Sequence, residues 1–384
     1  MSTYGTTLCW KYWYLDLREY LLEMGFKLSE CDRCLFILVH ADNVKIYVLN
    51  YVDDMLYFST DADKLKQFKE KLRARFNLEL IGQAHWYLGT RINQLANYDI
   101  ELDQSRYCAS IVKKYLDAAG APKEDRIHST PLPLDFVATS DDYSANEEVA
   151  RLLEKEYNVD FASCVGSLIY LGMTRCDIVY AVNKLAKFTR LPGRVHFDVL
   201  LHLLRYLRDN AMLGIRFYSD LFKAPLIKML ESQEIQQHHE FFGFSDSSWN
   251  DDADTGQSMG CFILTYMGGI VDHSSNIPDP VTLSSAEAEY NEGCMAFMAA
   301  SHLRMLLCEL EGIDETEMPP TAMIFDSKSA IAMVSSDKDT KHTRHIMRRY
   351  HFVRNEIAAK RFVMNWIGTE YMVSDIGTKQ TPGP

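Results

Sequence analysis

The chain has 384 residues, 47% of them hydrophobic, and a formal net charge of -13, which predicts two or three packed globular domains and excludes repetitive or collagen-like chains. The acidic balance argues against a nucleic-acid partner unless basic residues are gathered locally, because phosphate binding rests on Lys and Arg. Nine scattered cysteines, with only Cys31 and Cys34 at a metal-like spacing, predict reduced thiols and exclude a zinc site with paired ligands.

The N-terminal residues lack a basic segment followed by an apolar core, and no run of about 18 apolar residues occurs. Secretion and membrane insertion are therefore not expected. The aromatic cluster WKYWY, 10–14, suits a core or helix face, with base stacking as the alternative. Residues 44–49, VKIYVL, and 55–59, MLYFS, are β-rich and flank NYVDD, predicting a hairpin whose turn region carries Asp53 and Asp54. By residue type alone, these two acids suit an Asx-type turn as well as a metal site. Over 61–76, Leu65, Phe68, Leu72 and Phe76 form one stripe behind an Asp61 cap, predicting an amphipathic helix.

The proline-led, acidic stretch 131–158 has the composition of an exposed connection, and a domain boundary is expected there. Beyond it, FASCVGSLIYLGMTRCDIVYAVNKLAKF and VHFDVLLHLLRYLRDN read as packed scaffold helices, with Val199, Leu203, Tyr206 and Leu207 on one face of the second. From residue 240 the pattern becomes strand-like: FFGFSD, GCFILTY and GGIVDHS. A long helix follows from Ser284, with a Ser284–Glu287 capping box and Gly312 as its stop. TAMIFD (strand), SKSAIAMVSS (helix), a basic helix over 341–359, RFVMNWI (strand) and YMVSDIGTK (helix start) complete a mixed α/β arrangement. The segment 341–362 holds seven Lys or Arg against the single acid Glu356, so a basic stripe sits inside an acidic chain.

Four acids fall at element edges here: Asp246 and Asp326 at strand ends, Glu289 in the first turns of the long helix, and Asp375 at the last helix start. Converging carboxylates repel one another, and that repulsion is relieved by cations; hard oxygen ligands suit a two-Mg²⁺ site for phosphodiester cleavage. With 53 acids in the chain, caps and turns are the competing explanation. Glu289 is chosen over Glu287 because it heads a column of small residues, Gly293, Ala296 and Ala300, which allows close approach to a sheet. His342, His345 and His351 lack a suitably spaced carboxylate or cysteine and are read as polar or core histidines.

In order and spacing, YG at 4–5, WY at 13–14, LLEMGF, CLF, YVDDML, YLGTRI, VGSLIYLGMTRCDIVYAVN, LRYL, FSDSSW, LSSAEAEY, FDSKSAI, KHTRHIMRRYHFVRNEI and SDIGTK resemble the Pol polyprotein of copia-type LTR retrotransposons. The likeness covers the reverse transcriptase and ribonuclease H parts of that family. It implies an α/β and α+β chain: a partial reverse transcriptase palm and thumb over 1–130, the acidic polar linker 131–158, a connection-like helical region over 159–238, and a ribonuclease H-like mixed sheet with flanking helices over 239–384. Asp53 and Asp54 would then bind the Mg²⁺ ions of nucleotidyl transfer, and YLGTRI would hold the primer. Asp246, Glu289, Asp326 and Asp375 would hold two Mg²⁺, with Mn²⁺ as a substitute, to cleave the RNA strand of an RNA–DNA hybrid. Lys341, Arg344, Arg348, Arg349 and Arg354 would lie along the hybrid backbone, an electrostatic contact without base specificity. The implied partners are RNA–DNA hybrid, template-primer nucleic acid and other Pol segments, with no membrane. The implied setting is the cytoplasm, in a virus-like particle, or the nucleus.

The departures from the pattern bear on activity. The family's upstream palm strand, with its further metal-binding aspartate, precedes the residues with which this chain begins. TTLCWKY replaces a segment normally rich in Gln, Pro and basic residues, SSNIPDP lacks the usual lysines, and Cys176 stands where the family has proline. The expectation is a truncated, diverged copy with an incomplete polymerase site and a hybrid-cleaving ribonuclease H domain. The alternatives are a catalytically inactive nucleic-acid-binding or scaffold remnant, and DNA synthesis completed by a separate polypeptide.

Overall fold

The computed structural model describes residues 9–120, 126–134, 136–137, 139–235, 240–277, 282, 284–335 and 347–380. It divides into two compact units, one formed by 1–88 with 301–318 and the other by 89–300 with 319–384.

In the first unit, helix α1 (Cys9–Glu23) precedes a four-stranded antiparallel sheet whose strands follow sequence order: β1 (Lys27–Leu28), β2 (Leu35–Val39), β3 (Lys45–Tyr51) and β4 (Asp54–Ser59). Alternation along β3 buries Ile46, Val48 and Asn50, the period-2 pattern of a half-covered sheet. Helix α2 (Ala62–Arg75) starts where expected, with Asp61 accepting from the amides of Asp63 and Lys64 at 3.0 and 2.9 Å. Leu17 and Leu21 of α1, Phe36, Ile46 and Val48 of the sheet, and Phe68 and Leu72 of α2 form the core. The expected hairpin is present, with Tyr51 opposite Asp54. The segment 301–318 is tied to this sheet at the Leu310 carbonyl, which accepts from Tyr47 Oη at 2.7 Å and Lys45 Nζ at 3.0 Å. A short strand, β5 (Trp86–Tyr87), falls near the end of the stretch 1–88.

The second unit opens with an antiparallel sheet that the sequence reading missed: β6 (Thr90–Gln94), β7 (Ile100–Asp103) and β8 (Ile215–Phe217). Helix α3 (Ser105–Ile111) runs into a π-helical segment, Val112–Asp117. Then come α4 (Glu147–Tyr157), α5 (Phe161–Leu171), α6 (Val179–Ala186), α7 (Arg194–Asp209) and α8 (Pro225–Ser232). Val199, Leu203, Tyr206 and Leu207 are all buried, as their common face requires. Buried Arg175 pairs with Asp177 through two bonds of 2.8 and 2.7 Å, and Tyr206 Oη adds a third to Asp177 at 2.7 Å. The expected boundary in 131–158 is not where the chain divides: the compact units part at Leu88, and the stretch carries the helix α4, capped by Asn146.

The rest of this unit is a five-stranded mixed sheet in the order β11-β10-β9-β12-β13, formed by β9 (Phe241–Ser248), β10 (Met259–Tyr266), β11 (Gly269–Asn276), β12 (Thr321–Phe325) and β13 (Phe362–Trp366). The first three are antiparallel, whereas β12 runs parallel to β9 and β13 parallel to β12. Ile227 and Leu230 of α8 pack with Phe242, Phe244, Ala322 and Ile324 on one face. Helix α9 (Ser285–Glu311) lies against residues of opposite strand parity, with Phe297 5.0 Å from Phe362 between ring centroids. By length and composition α9 could also cross a membrane, but here Ala288, Cys294, Ala296, Phe297 and Ala300 are buried in the protein. Helices α10 (Lys328–Ser335) and α11 (Met347–Ala358) join β12 to β13. The last predicted helix is instead two short 3₁₀ turns, Thr369–Tyr371 and Val373–Gly377. The unit thus ends in a five-stranded mixed sheet with flanking helices, and the first unit is likewise mixed α/β.

Candidate metal centre

The parallel register of β9 and β12 sets Phe244 beside Ile324, so Asp246 and Asp326, each two residues on, reach the same sheet edge. Gly293 brings α9 to that edge, since a Cβ there would meet Phe325 Cε1 at 2.8 Å, and Glu289 lies one turn earlier. One oxygen from each of Asp246, Glu289 and Asp326 lies within 4.8 Å of the others. Among the described residues, no other trio of acid, His or Cys side chains is close enough to share an ion.

Burial makes this convergence unfavourable for bare carboxylates. Glu289 is pushed up to about 9 by burial, then by Asp246 and Asp326. Asp246 is raised by burial against the opposing effects of Thr378 and Lys379, and Asp326 is raised by burial against Thr369. Thr378 Oγ1 donates to Asp246 Oδ2, while Thr369 Oγ1 donates to Asp326 Oδ2 at 2.8 Å and Trp366 Nε1 to the Asp326 carbonyl at 2.9 Å. Glu289 Oε2 is buried without a hydrogen-bond partner. A buried, orphaned oxygen aimed among other carboxylate oxygens fits a hard divalent cation, so the residues present suit Mg²⁺.

The fourth expected ligand, Asp375, is not one of the three mutually close carboxylates, but its side chain neighbours that of Asp246. It sits in the 3₁₀ turn Val373–Gly377, paired with Lys379 Nζ at 2.8 Å, and Lys379 in turn lies 3.8 Å from Asp246 Oδ2. Lys379, Thr378 and Thr369 are site residues that the sequence reading missed. The polar GTK following the aspartate of SDIGTK was the available signal for two of them.

Asp53 lies in the turn between β3 and β4 and Asp54 opens β4, both exposed. Val52, at φ 53°, takes a left-handed conformation that a β-branched residue rarely adopts. Trp13 Nε1 donates to the Val52 carbonyl at 2.8 Å, and the Trp13 ring packs edge-on against Phe76. The aromatic cluster therefore contributes to the core and the hairpin. Cys31 and Cys34 are free; burial followed by Glu309 pushes the Cys31 thiol up to about 11. Of the basic residues, Lys341 and Arg344, like His342 and His345, lie outside the described residues. The backbone at Arg348 and Arg349 belongs to α11, as does Arg354, which is partly buried.

A family model described as reverse transcriptase (RNA-dependent DNA polymerase) matches residues 1–123. The retrovirus-related Pol polyprotein from transposon RE1 of Arabidopsis thaliana is 28% identical over 98% of this chain. That from transposon TNT 1-94 of Nicotiana tabacum is 26% identical over 99%. Nearly the whole chain is thus similar to copia-type retrotransposon Pol polyproteins. It spans about a quarter of these two Pol polyproteins, 23% and 27% of their lengths. The Ty1-BR Gag-Pol polyprotein of Saccharomyces cerevisiae is similar at 21% identity, over 99% of this chain and 21% of its own length. Among solved structures, an N-terminal RNase H domain from Mycobacterium tuberculosis is 15% identical, covering 36% of this chain and 91% of its own, with a TM-score of 0.27. A foamy viral protease-reverse transcriptase complexed with double-stranded DNA is 11% identical, covering 84% and 46%, with a TM-score of 0.45.

Proposed function

We propose that this Pol segment hydrolyses the RNA strand of RNA–DNA hybrids with Mg²⁺ held by Asp246, Glu289 and Asp326, with Asp375 completing the set beside Lys379. The observation that carries the reading is the buried Asp246–Glu289–Asp326 trio with its orphaned Glu289 oxygen. Bound there, Mg²⁺ supplies Lewis-acid activation of water and stabilisation of the leaving oxygen, with Mn²⁺ as a substitute. The chain's own residues do the rest. Thr378 and Thr369 fix the carboxylates of Asp246 and Asp326 through their hydroxyls, so the oxygens keep their orientation when substrate arrives. Buried β9 excludes water from the strand side of Asp246. The basic residues Lys341, Arg344, Arg348, Arg349 and Arg354 would follow the hybrid's phosphates without reading its sequence.

Asp53 and Asp54 keep the metal-binding character of the family's palm hairpin in this reading. The experiment is hydrolysis of a labelled hybrid by the purified chain with Mg²⁺. Asp246→Asn is expected to slow cleavage roughly 10²–10³-fold, the several kcal/mol of charge stabilisation that a metal contributes. Equal rates for the two proteins would remove the trio from the reaction.

A further inference from the structure

A lysine inside a carboxylate cluster needs an explanation, because a fixed positive charge competes with the cation that the cluster would hold. Lys379 Nζ lies 2.8 Å from Asp375 Oδ1 and 3.8 Å from Asp246 Oδ2. Its charge is also felt by Glu289 and Asp326. The backbone beneath it is fixed: the amides of Thr378 and Lys379 donate to the Asp375 carbonyl at 3.2 and 3.0 Å, and Thr378 is fully buried with its hydroxyl on Asp246. The side chain itself is 40% exposed, so its tip has room to leave while its base stays in place. Anchored stem and partly open head are what a displaceable counterion requires.

We propose that Lys379 is a positioning residue: a tethered cation that holds Asp246 and Asp375 in register and yields its place as the divalent ion binds, thereby setting the site's affinity for Mg²⁺. The inference rests on the reading of the trio as a cation site. Like charges repel across a low-dielectric site, so part of the free energy of Mg²⁺ binding goes into moving the ammonium. Once displaced, the ammonium remains at the site's rim.

Calorimetric titration of the whole chain with MgCl₂ tests this directly. Lys379→Met is expected to lower the Kd for Mg²⁺ by about tenfold, which is ~1.4 kcal/mol, and to lower the melting temperature in EDTA. Lys379→Arg, which keeps the charge, should stay within about threefold of wild type in Kd, since a residual shift of that size is under ~0.7 kcal/mol. If the Met variant does not fold, Lys379→Gln, with a polar tip for Asp375, carries the same expectation. An unchanged or weakened Mg²⁺ affinity in the neutral variants would overturn the proposal. Asp246→Asn separates the two readings. If it abolishes Mg²⁺ binding while the Lys379 variants match wild type, only the role of Lys379 falls; if it leaves binding intact, the trio itself is not the cation site.

Discussion

Two sets of acids in this chain look alike in sequence and differ in physical setting. Asp53 and Asp54 are exposed at the β3–β4 hairpin, where solvent screens charge. Asp246 and Glu289 are 2% and 7% exposed, brought together by two parallel strands and a helix that a glycine lets approach closely. The first pair is tolerated without a cation, whereas the second creates a demand for one. Adjacent aspartates in a motif thus carry less information about present chemistry than separated acids that folding forces together.

The contrast can be broken in four ways, the first having the largest effect. Glu289 titrates near 4.5 when exposed and at about 9 in the folded chain, so the folded state holds a proton over that window that the unfolded state has released. Metal-free stability should therefore fall as pH rises from 5 to 8, by up to ~1.4 kcal/mol per pH unit, and Glu289→Gln should flatten the slope in urea unfolding with EDTA. A flat wild-type profile would mean that the trio carries no such strain. Next, Mg²⁺ at about one hundred times its Kd should stabilise the protein by ~2.7 kcal/mol in thermal melts, and Asp246→Asn should erase the gain while Asp53→Asn leaves it intact. Third, Thr378→Val removes a hydroxyl from a buried carboxylate and should destabilise the metal-free chain by about 1.5–3 kcal/mol, read from the urea midpoint. Smallest, Asp53→Asn and Asp54→Asn should each change stability by no more than about 0.5 kcal/mol, as exposed substitutions do.

Much of the fold was legible because its signals are local. Asp61 caps α2 where the sequence places it, Gly312 ends α9 in a left-handed conformation at φ 67°, and the column headed by Glu289 fits against the sheet because Gly293 has no side chain. The parts that were not legible depend on distant partners. β8 pairs with β7 more than a hundred residues earlier, and three residues such as Ile215–Phe217 carry too little alternation to announce a strand. Likewise, helix α4 was hidden by acids that suit an exposed helix as well as a loop, although Asn146 supplied its cap. At the site, all four carboxylates stood out at the edges of the predicted elements and matched the family resemblance, and the structure gathers three of them closely. Asp375 lies beside Asp246 but outside the trio, in a 3₁₀ turn that closes an ion pair with Lys379 four residues on, a geometry that spacing alone does not fix.

The most direct test of hybrid hydrolysis by the buried trio is a cleavage assay in which the RNA and DNA strands of one hybrid carry different labels, run with Mg²⁺ or EDTA. The expected result is fragmentation of the RNA label alone, dependent on Mg²⁺ and lost in Asp246→Asn. An intact RNA strand with the correctly folded wild-type chain, or cleavage that persists in Asp246→Asn, would contradict it.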